Sequence, residues 1–160
     1  FPTKNFGKKS RRRKENVNII ETAKLFFGVE YRWAGNSPLE GLDCGGFVCE
    51  VLRSLGYIED DYSAAGLHKC LSKSANGYSS ISVYSGKNPP PGCILFFGKN
   101  KEEITHVAIA VNEKLMIEAG GGDHSTTNRK LAIEKNAYVR IRPISRRSDL
   151  VSIIAIGPFK

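Results

Sequence analysis

Asp43-Cys44-Gly45-Gly46 is the part of the chain whose residue types most plainly suggest chemistry. A helical pattern starts at Asp43 or Cys44 and runs through Phe47, Val48, Val51, Leu52 and Leu55 to Gly56. A cysteine in the first turn of such a helix faces unpaired backbone N–H groups and the positive end of the macrodipole, both of which favour its thiolate. Two glycines inside a helix cost about 1 kcal/mol each relative to alanine, so some other demand offsets that cost. Bare backbone beside a nucleophile, leaving room for a substrate backbone, is one such demand. Cys49 lies among apolar helix residues and Cys93 opens an apolar run, so these two and Cys70 read as small packing residues. No C-x-x-C spacing occurs and His68, His106 and His124 are scattered, which argues against a structural zinc site. No metal or cofactor is expected.

A nucleophilic cysteine needs a base, and the base usually needs an orienting group. His106 opens the strand-like run Thr105-His-Val-Ala-Ile-Ala-Val111. Alternation puts Val107, Ile109 and Val111 on one face and His106, Ala108 and Ala110 on the other. The small residues would leave space for the start of a helix to approach. His68 falls in a possible amphipathic helix and reads as ordinary; His124, in a Gly-rich loop, is either solvent-exposed or at the edge of a groove. Glu118 is the candidate orienter. An odd-residue turn at Asn112-Glu113-Lys114 pairs Val111 with Leu115 and sets Glu118 opposite Ala108, on the face of His106. A turn of even length would send it to the other face. A carboxylate there would hold the imidazole and stabilise its charged form.

These residues need elements to position them. Ile19, Ile20, Ala23, Phe26 and Phe27 give a helical stripe over Asn16 to Phe27, stopped by Gly28. Tyr31 to Leu42 reads as a loop, Ala64 to Ser74 as a short helix, and Gly77 to Gly92 as turn-forming chain with three prolines near its end. Cys93 to Phe97, Thr105 to Val111, Leu115 to Ala119, Tyr138 to Ile144 and Val151 to Ile156 read as strands, with a helix over Arg129 to Ala137. Helices first and strands afterwards predict an α+β fold, with N-terminal helices packed on a central antiparallel sheet.

The chain has 160 residues, 41% of them hydrophobic, which suits one domain with a sizeable core. No apolar run reaches the ~20 residues of a membrane helix. Opening on Phe, the chain reads as processed or cut from a longer product, so the absence of a signal peptide from this stretch says little about compartment. Seven of the 24 basic residues precede Glu15, the first acid, which leaves 17 against 16 acids from Glu15 onward. The net charge of +8 therefore lies mostly in a tail over residues 1–15, ahead of a domain over 16–160. Such a run is ordinarily a solvated, flexible segment that can also contact a polyanion. Only Phe1 and Phe6 are interleaved with it, so no specific nucleic-acid site is expected.

The order of these motifs resembles the NlpC family of cell-wall cysteine peptidases, which are papain-like. The resemblance rests on Tyr31-Arg-Trp-Ala-Gly, then Asp43-Cys44-Gly-Gly-Phe-Val, then Pro91-Gly-Cys-Ile-Leu-Phe-Phe97, His106-Val-Ala-Ile and Met116-Ile-Glu118-Ala. It implies Cys44 as nucleophile, His106 as base and Glu118 as third member. It also implies a Tyr31 hydroxyl near the oxyanion or substrate, beside Asp43 and Gly45. The family commonly has Ser where this chain has Gly45, Gly where it has Ala34, Asp where it has Cys93, and His, Asn or Gln at the position of Glu118. Glu118-Ala-Gly-Gly-Gly and Val139-Arg-Ile-Arg-Pro143 resemble phage-associated members. The implied activity is hydrolysis of an amide in the peptidoglycan stem peptide, between D-glutamate and a diamino acid, in the cell envelope. Two other readings remain: an amidase, acyltransferase or deamidase using the same Cys–His pair, and a non-catalytic wall-binding or phage structural module.

Overall fold

The computed structural model describes residues 18–75 and 81–156. The basic tail and the domain boundary drawn after it lie outside the described residues.

Helix α1 occupies 18–24 of the described chain, short of the expected end at Phe27. Leu25, Phe26 and Phe27 instead donate their N–H groups to Thr22, Ala23 and Lys24, a tighter i to i−3 pattern. Gly28 then takes a positive φ of 83° that closes the turn. The loop expected over 31–42 holds a two-stranded ribbon, β1 (Asn36–Ser37) with β2 (Gly41–Leu42). Helix α2 (Cys44–Ser54) begins at its expected place, and the Asp43 side chain caps it by accepting the Gly46 N–H at 2.6 Å. Helix α3 spans Ala64–Ala75.

One antiparallel sheet of six strands carries the rest. Its strands are β3 (Ile81–Val83), β4 (Ile94–Gly98), β5 (Ile104–Ala110), β6 (Leu115–Gly120), β7 (Tyr138–Pro143) and β8 (Leu150–Ile156), in the order β3-β8-β4-β5-β6-β7. Strand β3 corrects the reading of 77–92 as turn throughout; it is a three-residue edge strand paired with the far end of β8. Helix α4 covers only Arg129–Glu134, capped by Asn128, and the chain leaves it through a left-handed Asn136. The fold is thus α+β with an antiparallel sheet, as the element order implies.

The sheet has two unequal faces. Phe47, Val48, Val51 and Leu52 of α2 and Leu67 and Leu71 of α3 pack with Phe96, Val107, Ile109, Ile117 and Ile154 in the main core. Leu95, Phe97, Ala108, Ala110, Met116 and Ile153 form a second cluster on the opposite face, and among the described residues no α-helix residue belongs to it. That corrects the purpose assigned to Ala108 and Ala110. Helix α2 lies over Val107 and Ile109, so the small residues do not make way for it.

Helix and histidine meet at the end of β5 instead. Phe97 pairs with His106, but the next residue, Gly98, pairs with Ile104, which leaves Thr105 as an extra residue in a β-bulge. Ile104 and His106 are both buried and Thr105 between them is exposed. The bulge lets Ile104 join the helix-side core while His106 turns to the other face. It also brings the Thr105 carbonyl oxygen to 4.0 Å from Cys44 Sγ.

Candidate active site

A cleft of about 580 Å³ runs between the start of α2 and the ends of β5, β6 and β7. That is within the usual range for a small-molecule or short-peptide site. Cys44, Asp43 and Gly45 line it from the helix; Tyr31 and Trp33 from the loop before the helix; His106 and Glu118 from the sheet. The six residues singled out in the sequence (Tyr31, Asp43, Cys44, Gly45, His106 and Glu118) therefore converge on one space.

The hairpin between β5 and β6 has the parity on which the position of Glu118 depends. Ile109 pairs with Ile117 and Ala110 with Met116, and the Val111 N–H donates to the Leu115 carbonyl at 2.8 Å. The same register sets Glu118 across from Ala108, and His106 Nε2 lies 2.6 Å from Glu118 Oε1. Glu118 is only 3% exposed, not a solvent-facing strand residue. With Nε2 committed to the carboxylate, Nδ1 is the nitrogen left to face Cys44.

The electrostatics of this row follow from its burial and partners. Burial opposes a charge on His106, but hydrogen bonds with Cys44 and Glu118 outweigh it and hold the imidazole up at about 9. Burial also opposes the Glu118 carboxylate; the His106 hydrogen bond and charge, then Arg142 and Arg147, bring it below the ordinary glutamate range. Arg142 Nη1 lies 3.7 Å from Glu118 Oε2. Glu118 is thus held from two sides, with one oxygen on the imidazole and the other near a guanidinium.

Tyr31 is 6% exposed, and burial followed by the negative charge of Cys44, Asp43 and Asp123 raises its phenol well above the ordinary tyrosine range. It stays a neutral O–H donor at the cleft wall. Burial raises the Asp43 carboxyl too, against the opposing N–H groups of Gly46 and Ala34.

The two glycines after Cys44 serve a different need from the one inferred for them. A Cβ on Gly45 would stand 2.9 Å from the Tyr62 carbonyl oxygen and 3.0 Å from the Ala64 nitrogen. One on Gly46 would meet the Gly35 carbonyl oxygen at 2.1 Å. Both make room for the protein's own backbone, which closes on the helix start from two sides; Gly45 keeps an edge on the cleft. Gly122 does the same for Tyr31, whose ring would lie 2.1 Å from an added Cβ.

The remaining cysteines and histidines are set apart from this row. None of the four cysteines forms a disulfide, and burial raises the Cys49 thiol to about 11. His68 is buried against Phe96 with Nε2 3.0 Å from Ser152 Oγ. His124 is exposed and also edges the cleft, its ring 6.3 Å from that of Trp33 in an edge-to-face arrangement. Among the described residues, no three His, Cys, Asp or Glu side chains come together as metal ligands would. Sequence reasoning missed the far end of the cleft, where Arg142, Arg146 and Arg147 line it. The alternating Arg140 and Arg142 beside the strand of Glu118 were the available signal.

The arrangement has counterparts among known proteins. The chain is 30% identical over 124 residues to the gamma-DL-glutamyl hydrolase of Bacillus subtilis, a match covering 75% of this chain and 26% of that protein. It is 29% identical over 110 residues to the gamma-D-glutamyl-L-lysine dipeptidyl-peptidase of Bacillus cereus, covering 68% and 29%. It thus spans just over a quarter of the length of these relatives. In structure it resembles the NlpC/P60 domain of the peptidoglycan hydrolase SagA, with TM-score 0.60, 19% identity, and coverage of 88% of this chain and 98% of that domain. The P60 domain of an antigen from M. avium subspecies paratuberculosis gives TM-score 0.64, 16% identity, and coverage of 92% and 98%. The family profile of NlpC/P60 matches residues 28–142, a stretch that runs from the loop before Cys44 past Glu118 to Arg142. The cleft is therefore built on a shared framework, and the chain belongs to the NlpC/P60 family.

Proposed function

We propose that this chain is a cysteine hydrolase that cuts an amide in the stem peptide of bacterial peptidoglycan, at the bond between D-glutamate and the following diamino acid. The observation that carries the reading is the row Cys44, His106, Glu118 in one cleft, with the 2.6 Å His106–Glu118 hydrogen bond fixing which ring nitrogen faces the thiol. The two relatives named for γ-glutamyl hydrolysis support this bond over other amides.

The chemistry follows from the row. Cys44 gives its proton to His106 Nδ1, and the thiolate attacks the carbonyl carbon. The oxyanion would be held by the Cys44 backbone N–H and the neutral Tyr31 hydroxyl. The imidazolium, steadied by Glu118, protonates the leaving nitrogen as the thioester forms. Neutral His106 then takes a proton from water, whose oxygen attacks the thioester and returns the thiol. Substrate in the wall sets the place of action in the cell envelope. No described helix is long and apolar enough to cross a membrane.

The test is digestion of purified peptidoglycan with products identified by mass spectrometry. The expected result is release of fragments ending in γ-D-glutamate, lost in Cys44→Ala. Cleavage that persists in Cys44→Ala would refute the assignment.

A further inference from the structure

Three arginines crowd one end of the cleft, and their commitments differ. Arg147 donates two hydrogen bonds to Asp149, at 2.9 and 2.8 Å, and its guanidinium lies 5.1 Å from the centre of the Phe97 ring. Arg142 stands 3.7 Å from the Glu118 carboxylate. Arg146, on the single 3-10 turn Ile144–Arg146 that follows β7, is exposed and lines the same cleft. Its side chain makes no hydrogen bond or ion pair with any described residue. With Cys44 and His106 in their charged forms, the cations at this end are His106, Arg142, Arg146 and Arg147. The anions are Cys44, Glu118 and Asp149. The surplus charge is that of Arg146.

The opposite end has the other sign. Tyr31 and Trp33 lie there with Asp43 and Asp123, and Lys135 is drawn to Asp123 on the outer side. An amide substrate spans the two ends with its carbonyl at Cys44. His106 delivers its proton to the leaving nitrogen, so the leaving half of the substrate lies on the His106 side. Beyond His106 on that side stand Glu118, Arg142 and Arg146. A guanidinium with free donors presents a planar fork that a carboxylate fills in two-point fashion.

We infer that the leaving half of the substrate carries a free carboxylate and that Arg146 binds it, with Arg142 behind adding its field. This rests on the hydrolase reading above and sharpens it. The amine released would belong to an amino acid with a carboxylate to spare. Either a diamino acid bearing a side-chain carboxylate or a further γ-linked glutamate provides one; lysine with a capped carboxyl does not. The chemistry is the same for both sources, and the assay separates them.

Three peptides sharing one γ-D-glutamyl half serve as probes. Their leaving halves are carboxyl-capped lysine, diaminopimelate capped at the carboxyl next to the reacting amine, and γ-linked glutamate. Either carboxylate peptide is expected to exceed the lysine peptide in kcat/KM by about tenfold, the worth of one charge-assisted hydrogen bond. Arg146→Gln should remove most of that ratio, and Arg146→Lys should keep part of it. The ranking of the two carboxylate peptides names the source. Calorimetry on the Cys44→Ala protein provides a readout that needs no turnover. The carboxylate peptides should bind about tenfold tighter than the lysine peptide, and Cys44→Ala/Arg146→Gln should lose the difference. A ratio near one, or one that survives Arg146→Gln, overturns the inference while leaving the hydrolase intact. Carboxylate-dependent binding through Arg146 with no cleavage of any peptide upholds the inference and overturns the hydrolase. Neither binding preference nor cleavage overturns both.

Discussion

Replacing Glu118 by Gln tests whether the carboxylate sets the charge of His106 or merely lies beside it. The amide keeps the size of the side chain but cannot give the imidazolium an ionised partner. A hydrogen bond to a charged group contributes about 1.5–3 kcal/mol, and 1.36 kcal/mol corresponds to one pH unit, so the loss is worth about one to two units. The His106 imidazole, now held at about 9, should fall to between about 7 and 8; the hydrogen bond with Cys44 keeps it from dropping further. The alkaline limb of kcat/KM against pH, read on a γ-D-glutamyl peptide, should move down by the same amount. Activity at pH 8.5 should therefore drop roughly tenfold more than activity at pH 6.

Stability should follow with a defined sign. His106 has a folded-state value above its unfolded value of about 6.5. Its contribution is therefore fully present below about pH 6.5 and disappears as the pH rises through about 9. Glu118→Gln should lower the melting temperature more at pH 6 than at pH 10. The Arg142–Glu118 ion pair is lost too, but neither of its members titrates in that window, so that part of the loss is equal at both pH values. An alkaline limb that stays near 9 in Glu118→Gln would refute the idea that Glu118 sets the charge of its neighbour.

Two further predictions concern positions where this chain departs from its family pattern. Ala34→Gly should stabilise the fold by about 0.5–1 kcal/mol, because Ala34 sits at φ 58° in the left-handed region, which costs about 1–2 kcal/mol with a side chain, and glycine gives back about 0.5–1 of that in backbone entropy. Urea unfolding measures it, and an unchanged midpoint would mean that the loop does not hold this conformation. Gly45→Ser should destabilise by about 1–3 kcal/mol, because its Cβ meets the Tyr62 and Ala64 backbone rather than a movable side chain. At about 2–4 °C per kcal/mol for a chain of this size, the melting point should fall by several degrees. An unaltered one would show that the 62–64 segment is not held against α2.

What was readable in the sequence had a local cause. A helix start at Asp43 or Cys44 follows from the apolar spacing behind it, and the structure decides between the two by making Asp43 the cap and Cys44 the first helical residue. The meeting of His106 and Glu118 follows from a count of three residues in one turn, since strand faces alternate with period two and parity decides the face. Strand β3 was hidden because it has three residues and its partner, β8, is at the far end of the chain. The bulge at Thr105 was hidden because it is a relation between β4 and β5 and leaves no mark in the residues of either. The role of the arginines depends on β7 pairing with β6 and on the turn after it, so alternating arginines beside an acidic strand gave a pattern without a destination.

The glycines after Cys44 show where local inference goes wrong even when its premise is right. Their cost within a helix does imply a compensating demand, and bare backbone beside a nucleophile fits a substrate as well as it fits the protein itself. Helix propensity measures the penalty and is silent about which neighbour requires it. Here the neighbours are the carbonyl oxygens of Gly35 and Tyr62, from loops on either side of α2 in the sequence. The cleft beside Cys44 thus has walls made of backbone that side chains cannot push aside. An added atom at Gly45 or Gly46 would move the helix start itself, and with it the Cys44 Sγ. Tight packing of the backbone around Cys44, rather than open space for a substrate, is what those two residues secure.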